Sequence, residues 1–80
     1  MIMPSKHINF SQSLLGFGSY LLGKLQNPKS IDDLWREYQN DFKSELYSAE
    51  QSFDNLVLSI IFLYGINSIY EQNGIIHRCN

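Results

Sequence analysis

The stretch IFLYGINSIYEQNGIIHR, residues 61–78, decides the fold class of this chain. Asn73-Gly74 in its middle is the strongest short-range signal for a β-hairpin, and it predicts strands over residues 69–72 and 75–78. The apolar run before the hairpin ends at Gly65, a position typical of the left-handed residue that terminates a helix. The stretch therefore predicts a buried helix that leads directly into a tight hairpin.

Pairing across the turn sorts the hairpin side chains into two faces, because strand side chains alternate. One face holds Ile69, Glu71, Ile76 and Arg78. We predict that the two isoleucines are buried and that Glu71 and Arg78 form a diagonal pair at the rim. The other face holds Tyr70, Gln72, Ile75 and His77.

The residues before the hairpin predict one more strand and a first helix. Residues 6–10 alternate polar and apolar side chains after Pro4, which favours a short edge strand. Ser11 is placed to cap a helix that runs to about Leu25. The predicted core face of this helix is a stripe at 3.6-residue spacing: Leu14, Gly18, Leu21, Leu22 and Leu25.

Two further helices follow. Ser30 and Asp33 form a start resembling a capping box, and the acids there suit the positive end of the helix dipole. Ser48 with Gln51 is predicted to cap a third helix that runs to Tyr64. The apolar face of the second helix comprises Ile31, Leu34, Trp35, Tyr38 and Phe42. The order strand, helix, helix, helix, strand, strand predicts a small α+β winged helix, as a single domain over residues 1–80.

Composition narrows the class of function. A domain of 80 residues buries only about 60% of the surface that its unfolded chain exposes, so a partner would help its stability. Hydrophobic residues at 44% are too many for a disordered chain. The net charge is −2, and residues 30–65 carry seven acids against two bases. This balance gives no electrostatic reason to expect binding to nucleic acid or anionic lipid.

Location is the next property that the sequence addresses. Cys79 is the single cysteine, so no internal disulfide forms, and the N-terminal residues lack the pattern of a signal peptide. The longest apolar runs are shorter than the roughly 20 residues of a membrane-spanning helix. We therefore expect a cytoplasmic protein without a membrane segment.

The third helix is the element that would read DNA in a winged helix. We take its buried stripe to be Phe53, Leu56, Val57, Ile60, Ile61 and Tyr64. The exposed face then holds Asp54, Asn55, Leu58, Ser59 and Phe62, without a basic residue. Leu58 and Phe62, one turn apart, form an apolar patch, so we predict that Asn55, Leu58, Ser59 and Phe62 bind a protein partner. The alternative is that the stripe is rotated by one residue, with Leu58 or Phe62 in the core.

The glycines of the first helix raise a second candidate surface. Their spacing matches neither nucleotide-binding fingerprint, and they lie inside a helical pattern. Gly16, Ser19 and Gly23 line up opposite the leucine stripe, with Tyr20 beside them. This surface either tolerates small residues or allows close approach by another helix, from the fold or from a partner.

No pattern indicates catalysis. His7, His77 and Cys79 are a poor match to the ligand sets of zinc, and no nucleophile has a base and an orienting acid at a recognisable spacing. We predict no catalytic residue, metal, cofactor or small-molecule substrate. Lys6, His77 and Arg78 are the weak candidates for contact with nucleic acid.

Four segments carry a resemblance to a known family: MPSKHINFSQSLLGFGSYLL, KSIDDLWREY, SFDNLVLSIIFLYGINSI and NGIIHR. Over nearly its whole length the chain resembles middle component 6 of the bacterial ABC-three-component systems, the group that includes Lamassu-type antiphage defence. The matching residues mostly set the fold, and no catalytic residue carries over.

The resemblance implies a non-catalytic accessory subunit in the bacterial cytoplasm, encoded between a nuclease-type effector and an SMC/Rad50-like ABC ATPase. Such an adaptor would dock on the ATPase or bridge it to the effector, with DNA contacted at most indirectly through the complex. The alternative function is a winged-helix DNA-binding transcription regulator, which would require cations on the third helix or the hairpin.

Overall fold

Three helices lead into one hairpin. The computed structural model describes the backbone of residues 4–79 and the side chains of residues 14–79. The elements are α1 (Pro4–Lys24), α2 (Ile31–Lys43), α3 (Phe53–Gly65), β1 (Ile69–Gln72) and β2 (Ile75–Arg78). This α+β arrangement is winged-helix-like and confirms the predicted fold class.

The predicted edge strand over residues 6–10 is wrong, because these residues lie inside α1. Helix α1 begins at Pro4, where the fixed φ of proline suits the first turn and its missing N–H costs no hydrogen bond. Ser11 consequently lies within the helix instead of capping it. An alternation of five residues was too short to separate a strand from the start of an amphipathic helix.

The connection between α1 and α2 pairs with the hairpin through one residue, Lys29, which lies beside β2. The Lys29 N–H donates to the Ile76 carbonyl at 3.1 Å, and the Ile76 N–H donates to the Lys29 carbonyl at 2.7 Å. Strand β2 therefore lies between Lys29, which forms this isolated antiparallel bridge, and β1. The strand position that we expected near the N-terminus is therefore occupied by a residue that follows Pro28.

The hairpin has the predicted bounds and register. Asn73 and Gly74 have φ values of 54° and 81°, and a two-residue type I′ turn requires positive φ at both positions. The register pairs Glu71 with Ile76 and Tyr70 with His77, as predicted.

The hairpin's inner face is confirmed in part. Ile69 and Ile76 are each only 3% exposed, as predicted. The predicted Glu71–Arg78 pair is wrong. Instead, the Glu71 carboxylate accepts from the Gly74 N–H at 2.6 Å, and the Arg78 guanidinium donates to the Leu22 carbonyl at 3.1 Å.

Serine caps begin α2 and α3. The Ser30 hydroxyl oxygen accepts from the Asp33 N–H at 3.1 Å, which confirms the predicted start of α2. Ser52, and not the predicted Ser48, caps α3 by accepting from the Asn55 N–H at 3.0 Å. Each serine supplies an acceptor to an N–H that the helix itself leaves without a partner.

Helix α3 ends through Asn67 and not through a left-handed Gly65. Asn67 has a φ of 63° and donates its N–H to the Tyr64 carbonyl at 3.1 Å. The Ser68 N–H donates to the Leu63 carbonyl at 2.9 Å. These two bonds form a Schellman motif, in which asparagine takes the position that glycine usually holds.

The core lies where α1, α3 and the hairpin meet, with α2 packed alongside. Its buried apolar side chains are Phe17, Leu21, Leu25, Leu34, Tyr38, Leu56, Ile60, Leu63, Ile69 and Ile76. The predicted stripe on α1 is confirmed at Leu21 and Leu25, but it omitted Phe17, which is fully buried. A Cβ at Gly18 would lie 3.3 Å from Leu63 Cδ2, so glycine at this position allows α3 to pack closely.

Candidate functional site

The outward side of α3 is apolar. Leu58, Ile61 and Tyr64 follow each other at three-residue intervals and are 42%, 60% and 60% exposed. The helix contains no lysine or arginine, and its only charged residue is Asp54 in the first turn. We call Leu58, Ile61 and Tyr64 the α3 face.

Three of the four residues predicted to bind a partner on α3 are buried or half-buried, Phe62 among them. Ser59 is 0% exposed, so the predicted exposure of this residue is wrong. Asn55 is half-buried, and its side-chain amide donates to the Gln51 side-chain oxygen at 2.9 Å. Leu58 lies on the surface, as predicted.

The buried stripe of α3 is rotated by about one residue from the predicted one, the alternative left open above. Phe62 is half-buried and packs against the core, whereas Phe53, Ile61 and Tyr64, predicted to be buried, are exposed. The helix is apolar almost all round, so its composition did not define a face.

An apolar groove runs between α3 and the hairpin. Its volume is about 300 Å³. Its lining consists of Ile31, Ile60, Ile61, Tyr64, Ile69, Tyr70, Glu71, Gly74 and Ile76. We call this the hairpin groove; it is continuous with the α3 face because Ile61 and Tyr64 belong to both. Glu71 is its only charged lining residue within the described part of the chain.

The two hairpin residues predicted as weak nucleic-acid contacts have partners within the chain. His77 is half-buried and stacks on Tyr70, with ring centroids 4.8 Å apart and planes 8° apart. Arg78 is exposed and donates to the Leu22 carbonyl. The side chain of Lys6, the third weak candidate, lies outside the described residues.

The glycine surface of α1 is open. A Cβ added to Gly16 or Gly23 would meet no described atom within 4 Å, so the close approach within the fold that we considered there is excluded for the described elements. Ser19 is exposed between them. Tyr20 is half-buried and turns toward α2, so it does not share this surface.

A polar cluster joins α1 to α2. The Tyr20 hydroxyl donates to the Asp41 carboxylate at 2.5 Å, and the Lys24 ammonium lies 2.7 Å from the same oxygen. The hydrogen bond from Lys24, and then that from Tyr20, hold the pKa of Asp41 below its ordinary value. Burial, and then the hydrogen bond to Asp41, raise the pKa of Tyr20. This arrangement stabilises the charged carboxylate and the neutral phenol, and it fits a structural role.

Within the part of the chain that the structure describes, neither a metal-binding cluster nor a membrane-spanning helix occurs. Among the described residues, no group of three or more His, Cys, Asp or Glu side chains could hold one metal ion. Cys79 is exposed, and the side chain of His7 lies outside the described residues. In the same part of the chain, no helix has both the length and the apolar character to cross a bilayer.

Comparison with known protein families assigns the chain to one of them. It matches the family described as ABC-three component (ABC-3C) system Middle Component 6 over residues 3–79. The chain belongs to this family. Its members are accessory components, so this middle component 6 protein works in a system that has other components. No curated protein and no solved structure matches the chain.

Proposed function

We propose that this middle component 6 protein is a non-catalytic adaptor that docks through its α3 face on the SMC/Rad50-like ABC ATPase of a Lamassu-type antiphage defence system. In the same complex it bridges the ATPase to the nuclease-type effector. ATP hydrolysis and DNA cleavage then belong to the other subunits. The observation that carries the proposal is the exposed, cation-free α3 face.

Burial of this face supports a protein partner. Fully burying a large apolar side chain is worth roughly 1.5–3 kcal/mol, and the three residues of the α3 face are each about half exposed or more. A partner that covers them and enters the hairpin groove gains from all of this surface. Depletion of charge with enrichment of aromatic residues is typical of the centre of a protein interface.

The same surface argues against the DNA-binding regulator. A helix that reads DNA presents Arg, Lys, Asn or Gln to base edges and phosphates, and much of its affinity comes from neutralised phosphates. On α3 the one residue of these types is Asn55, which is bonded to Gln51. Exposed Asp54 adds negative charge to the same helix.

Co-purification with the ATPase tests the proposal. Leu58→Asp and Ile61→Asp are each expected to remove the protein from the complex, because a carboxylate would be buried in an apolar interface. Leu46→Asp is the matched control: Leu46 is 78% exposed on the connection between α2 and α3, and its variant should bind like the wild type. Unchanged binding by both α3 variants would exclude this face as the interface.

A mobility-shift titration at low salt separates the two functions. The adaptor is expected to give no sequence-specific shift when tested alone. A sequence-specific complex of the isolated protein, weakened by Arg78→Ala, would instead support the regulator.

A further inference from the structure

The backbone of β1 presents unpaired groups beside the hairpin groove. Ile76 uses both its N–H and its carbonyl to bond Lys29, so neither group points toward β1. Glu71 lies opposite Ile76 in the register. In an antiparallel pair such a position is not hydrogen-bonded, so the N–H and carbonyl of Glu71 point away from β2. They face the edge of the sheet that no described strand covers.

This edge is accessible. Tyr70, Glu71 and Gln72 are all exposed, so three of the four residues of β1 lie at the surface. The hairpin groove runs beside them, with β1 and the hairpin turn on one side and Ile61 and Tyr64 of α3 on the other. A free strand edge bordering an apolar groove that a helix closes is the geometry by which some domains bind extended peptides, adding them to the sheet.

We propose that an extended segment of the docked partner adds to β1 as a further strand and places alternate apolar side chains in the hairpin groove. This inference rests on the proposed function, and it names the form of the partner segment at the same site. A helix in the groove would leave the N–H and carbonyl of Glu71 without partners, whereas a strand bonds both.

Charge adds a second requirement on the segment. Glu71 is the one charged residue among the described lining of the groove. A lysine or arginine of the segment placed across from Glu71 forms an opposite-charge pair between neighbouring strands. The expected segment is therefore extended, carries apolar residues at alternate positions, and has a basic residue near the tip of the hairpin.

Substitution of Glu71 tests the added strand. Glu71→Pro removes the outward N–H, and because this N–H takes no part in the β1–β2 ladder, the hairpin is expected to remain folded. Glu71→Ala is the matched control, because it removes the carboxylate but keeps the N–H. Binding to the purified ATPase should weaken about tenfold more for Glu71→Pro than for Glu71→Ala, a difference typical of a lost interface hydrogen bond.

Hydrogen exchange on the wild-type complex gives the same test without substitution. The Glu71 amide is expected to exchange fast in the free protein and to become protected when the ATPase is bound. Equal binding by Glu71→Pro and Glu71→Ala, with no protection of this amide while Leu58→Asp still abolishes binding, would overturn the added strand and leave the adaptor intact. Protection of Glu71 in the protein alone at high concentration would contradict a partner segment, because it would indicate pairing between two copies.

Discussion

The two sides of this small domain satisfy their side chains in different ways. Around α2, where it meets α1 and the connection that leads to α3, polar and aromatic groups find partners inside the chain. Tyr20 and Lys24 bond the Asp41 carboxylate, and the Tyr38 hydroxyl accepts from the Gln51 N–H at 2.6 Å and donates to the Ala49 carbonyl at 3.1 Å. By contrast, the α3 face and the hairpin groove leave large apolar side chains in water.

The contrast separates surface that stabilises the domain from surface that is available to a partner. A chain of 80 residues has little apolar area with which to build a core, so exposing the three large side chains of the α3 face is costly. The contacts between α1 and α2 stabilise the domain, and this stability offsets the cost of leaving the α3 face exposed. Substitutions in the α1–α2 contacts should therefore reduce the stability of the fold, whereas substitutions on the α3 face should mainly reduce binding.

The largest expected effect on folding is at Phe17. Its ring is fully buried and lies 5.8 Å from Tyr20, 5.3 Å from Tyr38 and 5.8 Å from Tyr47, measured between centroids. Phe17→Ala should lower the free energy of unfolding by ~3–5 kcal/mol in a urea titration. Leu15, on the same helix but 55% exposed, is the control: its alanine variant should change stability by less than ~0.5 kcal/mol. Equal losses would contradict the described orientation of α1.

A smaller effect, of ~1 kcal/mol, is expected for Asp41→Asn at neutral pH. The hydrogen bonds from Lys24 and Tyr20 hold the Asp41 pKa below its ordinary 3.8, so the unfolded chain binds this proton more tightly than the folded one. The stabilisation is complete above about pH 5 and falls as the pH drops further. Unfolding measured from pH 2 to 7 should show a shallower loss in acid for Asp41→Asn; a slope equal to that of the wild type would contradict the cluster.

Alanine at Ser52, which caps α3, and alanine at Ser59, within α3, should affect stability differently. Ser52→Ala removes the N-cap acceptor for the Asn55 N–H and should cost ~1 kcal/mol. The Ser59 hydroxyl is buried and has no hydrogen-bond partner among the described atoms, so Ser59→Ala should be neutral or stabilising by up to ~1 kcal/mol. Thermal unfolding of both variants checks the pair. A destabilising Ser59→Ala would indicate that its hydroxyl has a partner.

The smallest effect on folding is expected on the α3 face. Leu58→Ser and Ile61→Ser should each lower the free energy of unfolding by ~1 kcal/mol or less, because Leu58 is 42% exposed and Ile61 60% exposed, so only part of each side chain leaves a buried environment. The same two variants should bind the ATPase less well than Leu46→Ser. A large loss of stability with unchanged binding would reverse the assignment of the two sides.

The sequence predicted the hairpin well because the turn chemistry is local. Asn73-Gly74 fixes the turn type, and the turn type fixes which residues pair. The start of α2 was predicted for a similar reason, since Ser30 accepts from an N–H only three residues away. Signals of this kind do not depend on how the elements pack.

The sequence predicted less where packing decides. Which side of α3 faces inward depends on its packing against α1, where Leu63 approaches Gly18 closely. Because almost every residue of α3 is apolar, its sequence does not indicate that side. Ser59 was predicted to be exposed because it is polar, but its side chain is buried. At the N-terminus, Pro4 was compatible with a strand or with the first turn of a helix, and the bond from Lys29 to Ile76 took the strand position. Of the three residues of the α3 face, only Leu58 was predicted to be exposed; Ile61 and Tyr64 were predicted to be buried.

A cryo-EM structure of this protein bound to the proposed ATPase partner tests most directly whether another polypeptide covers the α3 face. The adaptor account predicts that Leu58, Ile61 and Tyr64 are buried against protein. A structure in which these three side chains remain in solvent, or lie against DNA, would contradict it.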